Sequence, residues 1–316
     1  MKTHQTSILI AALALLASPL FTATAAAATE TLYSFSDNFD SYTATTLHAA
    51  DAWTDYPETA RISGQNGWGV ADGNITMAII ESGSGSTAFQ SPVHSGNILM
   101  MGSTRAYHTL STQEYSTADI LTLSGQINTS RKIKGGNSNL NAKLTLFSSA
   151  GNEWTGSTFL TVGITNDGNT SYASRLQYTN WTGSTLETVT VDGGTFAPTA
   201  SNWYAIDITA DLAAHTYAFT VKVETFTGTG AASVGTGWSV IYTSPTLNIN
   251  PTIALPDYLK LQSGGGTDGG GAFDNIVFNA LKNVPDPAIP EPATTSLLGG
   301  LLVLAGVFLS RRMRIR

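Results

Sequence analysis

Between residues 29 and 285, apolar and polar residues alternate in short runs, and no 3.6-residue period is sustained. Over 140–146, Leu140, Ala142, Leu144 and Leu146 fall on one side, while Asn141, Lys143 and Thr145 fall on the other. Tyr217, Phe219, Val221 and Val223 alternate with Thr216, Ala218, Thr220, Lys222 and Glu224, and Tyr204, Ile206 and Ile208 with Ala205, Asp207 and Thr209. A period of two is what a strand with one buried face requires. The same alternation predicts strands over 75–80, 97–101, 120–127, 159–165, 186–191, 238–242 and 273–278. Turn formers separate them: Asp72-Gly73-Asn74, Asn166-Asp167-Gly168-Asn169, Asp192-Gly193-Gly194 and the glycine-rich run 264–271. Many short strands with regular turns predict an all-β fold, a two-sheet antiparallel β-sandwich of the jelly-roll kind. Residues 29–282 show no internal repeat and no clean linker, so they read as one domain.

The two ends break this pattern. Lys2 and His4 precede an apolar stretch over 8–20 and the small residues Thr24-Ala25-Ala26-Ala27-Ala28, the layout of a secretory signal peptide over 1–28. At the other end a proline-rich linker over 283–292 leads into an uncharged run over 293–310. As a helix that run reaches about 27 Å, the thickness of a bilayer core. A basic tail over 311–316 follows, with Arg311, Arg312, Arg314 and Arg316. Positive charge stays on the cytoplasmic side, so a transmembrane helix here leaves the body outside.

The ordered trio of Pro290-Glu291-Pro292, apolar run and arginine tail resembles the PEP-CTERM sorting signal of Gram-negative bacteria. The resemblance implies an exosortase as processing partner. It also implies a form anchored in the inner membrane by the C-terminal helix, later sorted to the cell surface or extracellular matrix.

The chain contains no cysteine, and a body of about 260 residues buries a core without disulfides. Five of the 15 basic residues lie in the two ends, leaving ten against 22 acidic ones, a net charge near −12 through Pro292. Such a balance argues against nucleic acid as a partner.

Three segments then carry a second resemblance: Asp37-Asn38-Phe39-Asp40-Ser41-Tyr42, the hairpin opened by Asn202-Trp203-Tyr204-Ala205-Ile206-Asp207-Ile208, and Phe273-Asp274-Asn275-Ile276-Val277-Phe278. Their order is similar to that in concanavalin A-like (laminin-G-like) jelly rolls of bacterial surface proteins. That fold serves lectins, hydrolases, lyases and spacers alike, so activity has to come from side chains.

A glycosidase needs two carboxylates flanking the sugar bond. The seven glutamates of the body (Glu30, Glu58, Glu81, Glu114, Glu153, Glu187 and Glu224) are scattered, and the Glu-x-Asp-x-(x)-Glu strand of retaining jelly-roll glycosidases is absent. Asp207 and Asp211 share one expected strand, but Asp211 sits where the hairpin turns and reads as a turn cap. Arg105-Ala106-Tyr107-His108 has residue types suited to proton abstraction without a partner motif. No Gly-x-Ser-x-Gly and no histidine pair at metal-ligand spacing occurs. No catalytic residue is therefore assigned.

A structural Ca²⁺ is the candidate cofactor, because first and last strands often neighbour each other and would bring Asp37, Asp40 and Asp274 together. Asp167-Gly168-Asn169 is a second loop of that kind, and turn formation is the competing role for all of them. Among the six tryptophans, Trp154 and Trp181 lie in polar, loop-like settings and are the candidate platforms for a sugar ring. Trp203 and Trp238 begin strands and read as core. These features predict an exported, non-catalytic β-sandwich that binds polysaccharide or a surface protein. A polysaccharide lyase, a glycoside hydrolase and an inert matrix protein are the alternatives.

Overall fold

The computed structural model describes residues 28–44, 61–70, 77–81, 96–101, 104–128, 141–149, 156–166, 174–191, 202–227, 234–264 and 271–284. Residues 1–27, where a signal peptide is expected, Trp154, Asp167-Gly168-Asn169, and the residues after Val284 lie outside the described residues. Among the described residues no helix is long and apolar enough to cross a membrane.

Every regular element among the described residues is a strand. In chain order they are β1 (Ala28–Asp37), β2 (Trp68–Val70), β3 (Met77–Glu81), β4 (Asn97–Met101), β5 (Thr104–Thr109), β6 (Ile120–Asn128), β7 (Asn141–Ser149) and β8 (Gly156–Asn166). Then follow β9 (Ser174–Thr182), β10 (Thr185–Val191), β11 (Trp203–Asp211), β12 (Thr216–Thr227), β13 (Val234–Thr243), β14 (Leu247–Asn248), β15 (Tyr258–Gly264) and β16 (Gly271–Val284). The first sheet runs β13-β12-β11-β6-β16-β4-β3, with β1 beside β16 and β14 beside β12. The second runs β10-β9-β8-β7-β15-β5-β2. The paired strands run antiparallel, as in β6-β11-β12, β6-β16 and β8-β7-β15, and residues Glu30–Asn283 form one compact unit.

The period of two explains both sheets. Leu121, Leu123 and Ile127 of β6, Ile206 and Ile208 of β11, and Phe219 and Val221 of β12 are buried from the first sheet. Leu144 and Leu146 of β7, Val162 and Ile164 of β8, Leu176 of β9, and Leu259 and Leu261 of β15 meet them from the second. Each such side chain contributes roughly 1.5–3 kcal/mol on leaving water. Polar contacts also pin the layers: the Tyr217 hydroxyl donates to the Thr179 carbonyl, and Ser263 Oγ donates to the Met101 carbonyl at 3.1 Å. The Tyr178 and Phe219 rings meet edge to face at 5.3 Å.

The turn expected over 211–215 joins β11 to β12, with Asp211 Oδ1 accepting from the Ala214 N–H at 2.9 Å. At the closing strand, β16 carries a bulge between Asp274 and Val277 opposite β6. Asn275 takes the left-handed conformation there (φ 49°), which asparagine tolerates better than most residues. Its N–H donates to Asp274 Oδ1 at 2.7 Å and its amide to Gln126 Oε1 at 3.1 Å. Gly125 lies opposite, where a Cβ would come within 2.7 Å of Ile276 Cδ1.

Leu144 is fully buried at the middle of this layer. Leu144→Ala is expected to cost about 2–5 kcal/mol, read as a lower urea midpoint with unchanged slope. A shift below about 0.5 kcal/mol would mean that the layer closes over the gap or does not depend on this residue.

Candidate functional site

Burying one side of a strand commits its other side to the surface. On the second sheet, Ala106, Leu144, Leu146, Val162, Ile164, Leu176, Leu259 and Leu261 point into the core. The intervening residues form the outer face. In register, Tyr107 of β5 lies opposite Lys260 of β15, which lies opposite Thr145 of β7 and then Thr161 of β8. The Thr161 N–H donates to Thr179 Oγ1 of β9 at 2.9 Å, and Thr179 pairs with Thr188 of β10. A parallel row runs Arg105, Gln262, Lys143, Gly163, Gln177 and Thr190. Six strands across, with about 4.8 Å per spacing, make each row roughly 24 Å long.

The rows are tied together by their own side chains. Lys143 Nζ donates to Gln177 Oε1 across the intervening strand, and Gln177 Nε2 donates to Thr190 Oγ1 at 3.4 Å. Gly163 makes that crossing available, because a Cβ there would stand 2.7 Å from Lys143 Cγ. The Thr145 and Thr161 hydroxyls are 2.9 Å apart. Lys260 Nζ sits 3.2 Å from the centroid of the Phe147 ring, a cation–π contact. Tyr107 and Tyr258 meet edge to face at 5.7 Å. Thr145 and Lys260 are only 5% and 7% exposed, so the centre is shielded, whereas Lys143, Gln177 and Gln262 around it are half-buried. Burial also holds the Lys143 ammonium below the ordinary lysine range.

Charge is sorted between the two outer faces. Four of the seven basic residues among the described ones (Arg105, Lys143, Arg175 and Lys260) occupy this face, and among the described residues of its strands no Asp or Glu points to it. The outer face of the first sheet instead carries Asp207, Asp211 and Glu224, with Lys222 bound to Asp207 at 2.7 Å.

Trp181 lies on the outer side of β9, half-buried and paired with exposed Leu186 of β10. Its expected loop setting is corrected: it is a strand residue two positions before Gly183 of the hairpin turn formed by Gly183 and Ser184. Trp154 falls outside the described residues. Trp203 is buried, and Trp238 is half-buried on the edge strand β13. Strand alternation splits the quartet at 105–108. Arg105 and Tyr107 face outward, while His108 faces inward, stacked on Phe35 at 3.9 Å and edge-on to Trp68 at 5.5 Å.

The three aspartates considered for calcium have other work. Asp37 is 7% exposed, accepts from Phe39 N–H at 2.8 Å and Trp68 Nε1 at 2.8 Å, and takes the Tyr42 hydroxyl. Asp40 Oδ1 accepts from the Asn97 N–H at 2.8 Å, which fastens the 37–42 loop to β4. Asp274 holds the bulge of β16. Among the described residues no three His, Asp or Glu side chains are grouped to hold a metal ion.

The outer face of the second sheet was not anticipated as a site. Lys143 and Lys260 are unremarkable in sequence, and only the order β9-β8-β7-β15-β5 makes them neighbours. Its chemistry is donation of hydrogen bonds and positive charge, with aromatic rings at its borders.

No protein-family model matches the chain, and no curated protein matches it. Among solved structures, the chain is similar to lectin II from Ulex europaeus (9% identity, 80% of this chain and 100% of that chain, TM-score 0.39). Peanut lectin with a 9mer peptide is comparable (10%, 80% and 100%, 0.42). So is the catalytic domain of the glycoside hydrolase family 131 protein from Coprinopsis cinerea (12%, 79% and 97%, 0.37). At this distance the likenesses decide neither ligand nor activity.

His108 gives this end of the sheet a pH dependence. Burial disfavours its imidazolium and holds its pKa below the ordinary value, with hydrogen bonds to the Asn66 and Thr109 backbone and the Asp37 charge partly opposing. Below about pH 6.5 the unfolded chain therefore binds more protons than the folded one. Stability that is fully present above that pH falls as the solution is acidified. The urea midpoint is expected to drop between about pH 7.5 and pH 5, and to drop less in His108→Gln. Equal slopes for both proteins would remove His108 as a cause.

Proposed function

We propose that this chain is an exported, non-catalytic β-sandwich of jelly-roll type that binds polysaccharide through the outer face of its second sheet. The observation that carries this reading is the donor-rich strip across six strands, with Tyr107 and Tyr258 toward one border and Trp181 toward the other. Sugar hydroxyls pair well with Gln, Thr and Lys donors, and sugar rings lie against aromatic faces. The Pro290-Glu291-Pro292 signal with its apolar run and arginine tail supports sorting by an exosortase to the cell surface or extracellular matrix. Hydrolysis by a carboxylate pair is disfavoured on this strip, because among the described residues of its strands no Asp or Glu points to that face.

The full chain is expected to be retained by immobilised polysaccharide with no sugar released into the supernatant, and equally with or without a Ca²⁺ chelator. Trp181→Ala should weaken retention by about three- to tenfold, the range of one aromatic contact. Release of sugar would replace this reading with the lyase or hydrolase alternative. Loss of retention on chelation would restore calcium to the site. Failure to retain any polysaccharide would leave a protein-binding or structural role.

A further inference from the structure

The polysaccharide reading leaves the chemistry of the sugar open, and the charge on the proposed face bears on that choice. The body is strongly acidic, near −12 through Pro292. A general surface of this protein therefore repels polyanions. The outer face of the second sheet differs: Arg105 and Lys143 stand on it in one row, and among the described residues of its strands no Asp or Glu points to that side. Among the described residues the other outer face carries Asp207, Asp211, Glu224 and Asp274 with Lys222 bound to Asp207, so the asymmetry belongs to the way the strands are laid and not to overall composition.

Lys143 is the most informative member. Its Nζ donates to the Gln177 side chain and meets no carboxylate among the described residues. A half-buried ammonium held by one neutral amide has given up water without gaining a counter-charge. It is held there by construction, since Gly163 leaves the space for the side chain to cross. Arg105 stands two strands away in the same row, about 9.6 Å by strand spacing, and is exposed. Arg175 lies two strands to the other side, one outward-facing position along, opposite Thr165. Arg105 and Lys143 thus stand in one row at a spacing suited to two anionic groups of one extended chain.

Resting on the polysaccharide reading above, we infer that the ligand is a polyanionic polysaccharide. Its repeated carboxylate or sulfate groups are received by Lys143 and Arg105, while Gln177, Gln262 and the exposed Thr188 and Thr190 take the hydroxyls. Guanidinium groups bind either anion in a two-pronged manner, so the two chemistries are separated by experiment.

The test measures affinity of the full chain, solubilised in mild detergent, for four probes: polygalacturonate, dextran sulfate, unmodified dextran and polyglutamate. Binding to one or both charged polysaccharides is expected at least about tenfold tighter than to dextran or polyglutamate, and strongly weakened at about 0.5 M salt. Preference between the first two identifies carboxylate or sulfate. Arg105→Glu, at an exposed position that perturbs no core contact, should weaken the charged polysaccharides about tenfold or more, and Lys143→Gln about fivefold. Both substitutions should leave any dextran affinity within twofold. Dextran bound as tightly as the charged chains would overturn the inference while the polysaccharide reading stood. Polyglutamate bound equally well would overturn it in favour of an acidic protein partner. Retention of none of the four would remove both readings. Charged chains that bind while Arg105→Glu changes nothing would place the anion site elsewhere and overturn this assignment.

Discussion

The apolar layer between the two sheets is the constraint on which the rest of the molecule depends. It fixes register, because sliding a strand by one residue would turn Leu144 and Leu146 outward and bring Lys143 and Thr145 inside. With the inner residues held, the outer ones have no choice of side. The face formed by Lys143, Thr145, Thr161, Gln177 and Lys260 is thus a consequence of core packing as much as of its own interactions. Hydrogen bonds between its side chains refine positions that the core has already set.

The polar knots at the ends of the sandwich hold that frame closed. Asp37 gathers the Tyr42 hydroxyl, the Trp68 indole and the Phe39 N–H, so the exit of β1 is fastened to β2 at the far edge of the second sheet. Burial, with the adjoining carboxylate, pushes the Tyr42 hydroxyl well above the ordinary tyrosine range and keeps it a donor. Asp274, Asn275 and Gln126 serve the bulge of β16 in the same way. The aspartates that suggested calcium are, in this fold, the residues that let loops and a bulge turn sharply.

Much of the fold was legible because alternation is a local signal. The strand at Asn97–Met101 falls where expected, and those begun by Trp203 and Thr216 differ only in their ends. Strands β9 and β15 were missed for a physical reason. In Tyr258–Gly264 only Leu259 and Leu261 are inward apolar residues, and in Ser174–Thr182 only Leu176 and Tyr178 are, too few to mark a period. β1 was hidden because it directly follows the alanine-rich stretch at 25–28. Of the site, Trp181 was found through its residue type, although its strand was not. Lys143, Gln177, Gln262 and Lys260 lie on three strands spread over 120 residues of chain, and sequence carries no sign of that juxtaposition.

Among the described residues the two outer faces of the sandwich differ in charge, and that difference is the physical basis of the proposed polysaccharide binding. The most direct measurement is hydroxyl-radical footprinting of the full chain with and without bound polysaccharide. Oxidation of Tyr107, Tyr258 and Trp181 should fall on binding, while Trp238 on the edge of the first sheet stays unchanged. Protection of Trp238, Val240 and Ile241 with the three second-sheet aromatics unchanged would contradict the account and move the binding surface to the other sheet.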